Sequence, residues 1–281
     1  MSDAFLRIAA ALTGVVFAIA ALSALGFIAI VLAERIRRWR ADRLGFGDFI
    51  DAGAPLEHDR LVSAFDHPGT HDDGAEVSIV QMGDILITDG TIIVQDPAHL
   101  MFETETPTPF DEAFPIGRFP VDALVLTESG DQRIAAVRIA FSQNHGTALS
   151  PAFTNEWRAA LAKTRRELPW FGIDSATAAI GTAASFGWLA ERLAADPENT
   201  EGLAPGTPDG TNPYLSNNPA DLYTTPASGE HALFVVLSGL GDGTGQCLIE
   251  RDDANRITAL YVDFGMLGAP RWIRPDRAQA A

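Results

Sequence analysis

Apolar residues follow two different patterns along the chain, and the first is a single unbroken run. From Ile8 to Ala33 there are 26 residues without a charge. As a helix this run would be roughly 39 Å long, which exceeds the ~30 Å hydrocarbon core of a membrane. A cleaved signal peptide is the alternative, but its apolar core is about 7–15 residues long and a small-residue cleavage site follows it. The length and the charged residues that follow Ala33 therefore favour a transmembrane anchor.

Arginines on the two sides of this run predict its orientation. Five of them lie between Arg35 and Arg43, and only Arg7 precedes the run. Lys and Arg close to a span stay on the cytoplasmic side. We therefore expect residues 1–44 to form a single-pass anchor in the cell membrane, with the N-terminus outside and the remainder cytoplasmic. Within the run, Ala10, Gly14 and Ala18 form a small-residue row that would permit a weak helix-mediated dimer.

Short apolar strands form the second pattern, beyond residue 75. The stretch Asp84–Gln95 has Asp89-Gly90 at its centre, which is a dipeptide typical of type I′ turns, and it predicts a β-hairpin. A second hairpin is predicted to join Val121–Glu128 to Arg133–Ser142. These segments indicate antiparallel pairing between neighbours in the sequence.

Two helices and one long loop are predicted in the middle of the chain. The first helix runs from Asn155 to Leu168, with Thr154 as its N-cap and Pro169 ending it. The second runs from about Thr177 or Ala183 to Ala195. Residues 196–230 contain six prolines and many small polar residues, and they predict a long surface loop.

Strands return near the C-terminus. We predict strands at Ala232–Ser238, Gly245–Glu250 and Arg256–Phe264, with Asn255 in a left-handed conformation closing the last turn. Strands, then helices, then strands again indicate an α+β fold. The expected protein is thus a mainly antiparallel, β-rich soluble domain with two helices over residues 45–281, preceded by one transmembrane helix.

Charge restricts the partners of this domain. Residues 51–281 hold 14 basic and 33 acidic residues, within a chain of formal charge −17. A surface this acidic repels phosphates, which argues against binding nucleic acid. Basic protein partners would suit it. Cys247 is the sole cysteine, so no intrachain disulfide can form.

Candidate chemistry is limited to carboxylates and one glycine-rich loop. The loop Gly239–Gly245 matches neither a dinucleotide-binding nor a Walker pattern, and we interpret it as a tight turn. Five aspartates lie at predicted strand ends or in turns: Asp89, Asp96, Asp174, Asp242 and Asp263. Clustered carboxylates could bind a divalent cation or perform acid–base catalysis, but Asp is also a common turn former and helix cap.

Histidines provide a second, less specific candidate for metal binding. His67 and His71 flank Pro68-Gly69 and lie beside Asp66, Asp72 and Asp73. Because Pro and Gly interrupt the spacing, the two imidazoles would not share a helical face. The remaining histidines are scattered through the sequence.

Seven short segments, in order, resemble the bacterial family of domains of unknown function that is numbered 4241. They are Asp89–Pro97, Pro115–Val121, Ala136–Ile139, Glu156–Ala160, Phe171–Asp174, Ser238–Gly243 and Val262–Gly265. The resemblance covers about residues 80–267 and leaves out the anchor. It departs from the family pattern at Ser175-Ala176-Thr177, at Thr182 in place of a second acid, and at Thr244-Gly245-Gln246. The resemblance implies no particular reaction.

Two functions are compatible with these observations. The first is a membrane-tethered binding or regulatory module that has a protein partner and no turnover. The alternative is a hydrolase-like enzyme with Asp174, Asp242 and Asp263 as catalytic carboxylates, and Asp174 and Asp242 as ligands of a divalent metal. The missing base–nucleophile pair and the replaced acids favour the first. The sequence indicates no particular cofactor.

Overall fold

The computed structural model describes residues 56–57, 59–70, 76–102, 107–128, 130–155, 157, 170–195, 218–239, 241–267 and 271–272. All of them belong to one compact unit, Ile50–Ala281. The predicted anchor at residues 8–33 and its arginine-rich flank lie outside the described residues. Among the described helices, none combines the length and the apolar character needed to span a membrane.

Fourteen strands and three α-helices make up the described part of the chain. The helices are α1 (Asp59–Asp66), α2 (Pro97–Phe102) and α3 (Ala183–Ala195). The strands are β1 (Leu56–Glu57), β2 (Gly69–Thr70), β3 (Glu76–Ile87), β4 (Ile93–Gln95), β5 (Gly117–Glu128), β6 (Asp131–Ala140), β7 (Ala148–Pro151), β8 (Trp170–Ile173), β9 (Thr177–Gly181), β10 (Tyr223–Ala227), β11 (Leu233–Leu237), β12 (Gly243–Arg251), β13 (Ile257–Asp263) and β14 (Arg271–Trp272).

These strands form two antiparallel sheets. The main sheet has the order β14-β1-β7-β12-β13-β6-β5-β3-β2, with β8 also paired to β12. The second sheet has the order β10-β11-β9-β4. The predicted α+β class, mainly antiparallel and β-rich, is confirmed, and α1 and α2 are helices that the sequence patterns did not predict.

The sheets and helices stack in four layers, because both faces of most central strands are covered. One face of the main sheet packs against the second sheet through residues such as Ile139, Leu260 and Phe234. Helix α1 covers the other face of the main sheet through Leu61 and Phe65. Helix α3 covers the outer face of the second sheet. Burial on both faces explains why β11 is a continuous apolar run and not an alternating one.

The predicted hairpin at Asp84–Gln95 is wrong. Strand β3 pairs along its length with β5 in the main sheet, whereas β4 pairs with β9 in the second sheet. Asp89-Gly90 is thus the corner at which the chain passes from one sheet to the other. Gly90 has φ +75°, and its carbonyl accepts the Phe114 amide at 2.9 Å. The eleven-pair ladder with β5 outcompetes the shorter local pairing that the turn would permit.

The second predicted hairpin is confirmed. Strands β5 and β6 pair up to Glu128 opposite Asp131, with one register shift between Leu124 and Val125, so the turn between them is two residues long. The C-terminal strand block and its turn are also confirmed, and Asn255 has φ +62° as expected. Ser238-Gly239 connects β11 in the second sheet to the loop before β12 in the main sheet.

The predicted helices are partly right. Asn155 and Trp157 are helical, and the Trp157 amide donates to Thr154 Oγ1 at 3.1 Å, which confirms Thr154 as the N-cap. Residues 158–169 lie outside the described part of the chain. The second helix begins at Ala183, with Thr182 Oγ1 accepting the Ser185 amide at 3.2 Å. Thr177, the earlier of the two predicted starts, belongs to β9.

The predicted loop at 196–230 contains a strand. Residues 196–217 are not described, but Tyr223–Ala227 forms β10 at the edge of the second sheet. An edge strand tolerates a proline such as Pro226, because one side of its backbone has no partner strand.

Candidate functional site

Asp96 is the centre of the site and lies at the junction between β4 and α2. Its side chain is fully buried. Oδ1 accepts the Ala98 amide at 2.7 Å, so Asp96 caps helix α2, in which Pro97 takes the first position. Oδ2 accepts the amides of Asp174 and Ser175 at 2.6 and 2.8 Å. One carboxylate therefore joins the start of α2 to the turn between β8 and β9.

The β8–β9 turn, residues Asp174–Ala176, is held rigidly at this junction. Ser175 Oγ donates to Asp96 Oδ1 at 2.5 Å and lies 2.6 Å from Thr177 Oγ1. Ala176 has φ +56°, a left-handed conformation that is uncommon for a residue with a Cβ. Its carbonyl accepts the Ser238 amide at 3.0 Å. The turn is thus fixed on one side by Asp96 and on the other by Ser238.

The glycine-rich loop Gly239–Gly243 lies against this turn. Ser238 Oγ donates to the Gly241 carbonyl at 2.9 Å, and the Gly241 amide donates to the Ser238 carbonyl at 2.8 Å. Gly239 and Gly241 have φ +48° and +104°. From β6, Arg133 Nη1 donates to the Gly239 carbonyl at 3.2 Å. The interpretation as a tight turn is confirmed, and strand β12 follows it.

Asp174 and Asp242 lie at the same end of a strand pair. Ile173 in β8 pairs with Gly243 in β12, and each aspartate is the next residue beyond that pair. Both aspartates are exposed to solvent. Asp174 Oδ2 lies 3.1 Å from His99 Nε2, and 79% of its side-chain surface is accessible. Two predicted candidates are therefore brought together on one exposed surface.

Asp263 has a different environment. It is fully buried at the end of β13, opposite Gln246 in β12. Its Oδ2 accepts Gln246 Nε2 at 2.8 Å, and its Oδ1 accepts the Gly265 amide at 2.9 Å. These contacts hold the strand end together, and the sequence did not reveal Gln246 as a partner.

Asp89, the fifth candidate, forms hydrogen bonds at the corner where the chain passes from one sheet to the other. Its Oδ1 accepts both the hydroxyl and the amide of Thr91, at 2.7 and 3.0 Å. The hydrogen bond from the Thr91 hydroxyl, the largest cause, lowers the pKa of the Asp89 carboxyl below its ordinary value. This is the behaviour of a turn-forming carboxylate.

Metal-ligating side chains do not converge within the described ranges: no group of three or more His, Cys, Asp or Glu residues there could hold a metal ion. Of the histidine candidate, His71, Asp72 and Asp73 lie outside the described residues. Asp66 instead lies 3.3 Å from His145 Nε2.

Three further residues complete the site, and the sequence analysis did not name them as functional. They are His99 on α2, Ser175 in the turn and Arg133 on β6. The dipeptide Asp96-Pro97 could have predicted the start of α2 and so the position of His99, because Asp at the N-cap and Pro at the next position are typical of a helix start. Ser175 and Arg133 had no such local signal.

The described residues form a β-rich α+β domain. Its two antiparallel sheets are stacked, and helices cover their outer faces. The β8–β9 turn and the glycine-rich loop meet at one end of the main sheet. The chain belongs to the family DUF4241, described as protein of unknown function, whose model matches residues 85–262. Asp89, Asp96, Asp174 and Asp242 lie inside the matched range, and Asp263 lies one residue beyond it. Comparisons with curated proteins and with solved structures gave no match.

Proposed function

We propose that the protein is a membrane-tethered binding module that contacts a protein partner through one exposed surface. This contact surface consists of Asp174 and Ser175 in the β8–β9 turn, Asp242 in the glycine-rich loop and His99 on α2. The observation that supports it most directly is the different environment of two acids, Asp96 and Asp174. Asp96 is buried and holds the turn, while Asp174 is left projecting into solvent.

Rigidity supports a binding role for this surface. A loop that is already fixed loses little conformational entropy when a partner binds, so more of the contact energy appears as affinity. Asp96, Ser238 and Arg133 fix the backbone of both loops before any partner arrives. The exposed carboxylates then suit a partner segment that carries Lys or Arg.

The second part of the proposal is that the module is attached to the cell membrane. In this proposal residues 8–33 form the anchor, the N-terminus lies outside and the domain lies on the cytoplasmic side. Confinement at a membrane raises the effective concentration of the domain towards other membrane-bound proteins without new contacts. A reporter active only outside the cytoplasm, fused after Ala281, should be inactive, and a cytoplasmic reporter should be active. The opposite pattern would reject this orientation.

Site-specific crosslinking tests the contact surface. A photo-crosslinking residue in place of Asp242 should give a discrete product in cells that express the chain naturally. Asp253 provides the control position, because it is also an exposed acid and lies beyond the opposite end of β12. The product should disappear when Asp174→Arg is added. Equal crosslinking from the two positions would contradict the proposal.

The alternative function is a carboxylate-dependent enzyme, and one observation favours it. Asp174 and Asp242 lie side by side at the end of the β8–β12 pair, where two like charges would be relieved by a cation. If this site binds a divalent ion, the thermal midpoint should rise in calcium, magnesium or manganese relative to chelator. Loss of the rise in both Asp174→Asn and Asp242→Asn would favour the enzyme over the binding module.

A further inference from the structure

A cavity of about 860 Å³ with a polar lining opens on the α1 face of the main sheet. Leu124 of β5 packs under α1, and Pro120 and Asp122 share its face of the strand because side chains alternate along a strand. These two residues belong to the floor of the cavity. One wall is the end of α1, and the other is the segment from Ser142 to His145. The volume lies in the range of sites that hold small molecules.

The charged side chains of the lining balance each other. Two are arginines and two are aspartates: Arg118, Arg138, Asp66 and Asp122. Arg138 lies directly opposite Asp122 in the sheet, and its Nη2 donates to Asp122 Oδ2 at 3.0 Å. An anion would have to compete with Asp122 for Arg138, and a cation would have to compete with Arg138 for Asp122. Because this pair is largely buried, breaking it is costly, and the cavity therefore favours a neutral ligand.

A chain of polar contacts behind the floor holds Arg138 in position. Its guanidinium also donates a hydrogen bond to the hydroxyl of Tyr261, which is fully buried in β13. Tyr261 Oη lies 3.5 Å from Oε1 of the buried Glu250, whose Oε2 accepts the Thr258 hydroxyl at 2.8 Å. Burial, aided by the charge of Glu250, raises the pKa of Tyr261, so the phenol keeps its proton. A floor that is fixed in this way loses little entropy when a ligand binds.

Two polar atoms of the lining residues have no hydrogen bond within the described part of the chain. One is a donor, Arg138 Nε, and the other is an acceptor, Asp66 Oδ1, and both are buried. Asp66 Oδ1 lies 3.3 Å from His145 Nε2 but not in the geometry of a hydrogen bond. Buried polar atoms without partners are uncommon, and a bound molecule is one explanation for them. A ligand of this cavity should therefore both donate and accept hydrogen bonds.

Hydroxyl groups meet these requirements. A guanidinium only donates hydrogen bonds and a carboxylate only accepts them, whereas a hydroxyl does both. Two neighbouring hydroxyls of one ligand can thus accept from Arg138 and donate to Asp122 without separating the pair. Pro120 and Ala140 give the floor a small apolar patch for the C–H groups of a saturated ring. The rings of the neighbouring phenylalanines do not serve this purpose, because they pack in the cores on either side of the sheet.

We propose that this cavity binds a neutral polyhydroxylated small molecule, a sugar or a cyclic polyol, through Arg138 and Asp122 on the floor and Gln143 on the wall. The cavity is separate from the contact surface. Arg133, which holds the glycine-rich loop, lies near one end of β6, and Ala140 lies at the other. At ~3.3 Å per residue the two are roughly 20 Å apart. The inference does not depend on the protein partner.

Calorimetric titration of the purified full-length chain tests this proposal, in a buffer without glycerol, sugars or sugar-based detergents. The probes are D-glucose, D-ribose and myo-inositol, with cyclohexanol as a ring that has a single hydroxyl. We expect saturable one-to-one binding of at least one of the three polyols, with a Kd of about 0.1–10 mM. Cyclohexanol should bind at least about tenfold more weakly, because it cannot satisfy both Arg138 and Asp122. A phosphate ester of the polyol that binds should bind no more tightly, because the aspartates oppose its charge.

Variants of the floor and the wall show whether the polyol occupies this cavity. Asp122→Asn should abolish saturable binding. Because it also disturbs a largely buried ion pair, Gln143→Ala provides a second test on the exposed wall, where it should weaken binding about threefold to tenfold. Asn144→Ala is the matched control, since Asn144 is the next residue, is also exposed and does not line the cavity.

Three results would overturn the proposal. The first is the absence of saturable binding of all three polyols by the wild-type chain. The second is binding of cyclohexanol or of the phosphate ester that is as tight as, or tighter than, binding of the polyol in the first case and tighter in the second. The third is an equal effect of Gln143→Ala and Asn144→Ala on the affinity for the polyol.

Discussion

Asp96 and Ser175 are bound to each other twice: the Ser175 amide donates to Oδ2 at 2.8 Å and the Ser175 hydroxyl donates to Oδ1 at 2.5 Å. The two residues are 79 positions apart in the chain. Their contact joins β4 and α2 to the turn that follows β8. A single buried side chain therefore joins the two segments that carry His99 and Asp174.

Replacement of Asp96 should destabilise the domain strongly. Asp96→Asn puts an amide donor where an oxygen now accepts amide protons, which leaves buried donors facing each other. We expect a loss of about 2–4 kcal/mol in the free energy of unfolding, measured in urea. Asp242→Asn, at an exposed position, should change it by less than about 0.5 kcal/mol. Similar values for the two variants would contradict this role of Asp96.

The contact between His99 Nε2 and Asp174 Oδ2 should contribute little to stability. Its atoms are 3.1 Å apart, but 79% of the Asp174 side chain is accessible, so solvent screens the attraction. A double-mutant cycle with His99→Gln and Asp174→Asn should give a coupling energy below about 1 kcal/mol. Added salt should reduce it further. A larger coupling that resists salt would show that the pair is far less solvated than this geometry implies.

Asp89 should make stability depend on pH in the acid range. Its pKa is lower in the folded chain, so the folded state favours the carboxylate. The resulting stabilisation is present above the unfolded value of about 3.9 and disappears as the pH falls through the folded value. Asp89→Ala should therefore cost about 0.5–1 kcal/mol at pH 7 and less near pH 3.

The variant Thr91→Val tests whether the Thr91 hydroxyl causes the lowered pKa of Asp89. It removes the hydroxyl that is the main reason for the lowered pKa of Asp89 and keeps the size of the side chain. Urea unfolding of Thr91→Val should show a weaker loss of stability between pH 5 and pH 3 than the wild-type chain shows. An unchanged acid dependence would mean that the Thr91 hydroxyl is not its source.

Cys247 should resist thiol reagents until the main sheet opens. It is fully buried in β12, and burial, aided by the charge of Asp263, raises the pKa of its thiol well above the ordinary value. Because the thiolate is the reactive form, labelling with Ellman's reagent at pH 8 should follow global unfolding. A variant with Cys247→Ser and Ala254→Cys has its thiol in an exposed turn and should react at once. Equal rates would show that β12 opens locally.

Sequence patterns predicted the structure where the interactions are local. The turn at Asp252–Asn255 is fixed by Asp252 Oδ1, which accepts amides only two and four residues away, and such turn chemistry is visible in the sequence. Asp89-Gly90 has equally good turn chemistry but does not form a hairpin, because β5 competes for β3. Pairing between distant segments depends on which face of each strand must be buried, and a short apolar run does not specify its partner.

The candidate site residues, too, could be predicted only as far as local sequence signals reach. Asp96, Asp174 and Asp242 could be named because aspartates at the ends of strands are conspicuous. Their division into a buried holding residue and exposed residues could not, since it depends on contacts between segments nearly 80 residues apart.

The strand order of the main sheet has a consequence during synthesis on the ribosome. Strand β6 is finished at Ala140, but its neighbour β13 ends at Asp263 and separates β6 from β12. At ~5–20 residues per second, the hydrogen-bonding edge of β6 has to wait roughly 6–25 s for that neighbour. An open edge of this kind invites pairing with other nascent chains. We expect ribosome-bound chains that stop before β12 to depend on chaperones, and termination shortly before Ile257 to leave an aggregation-prone product.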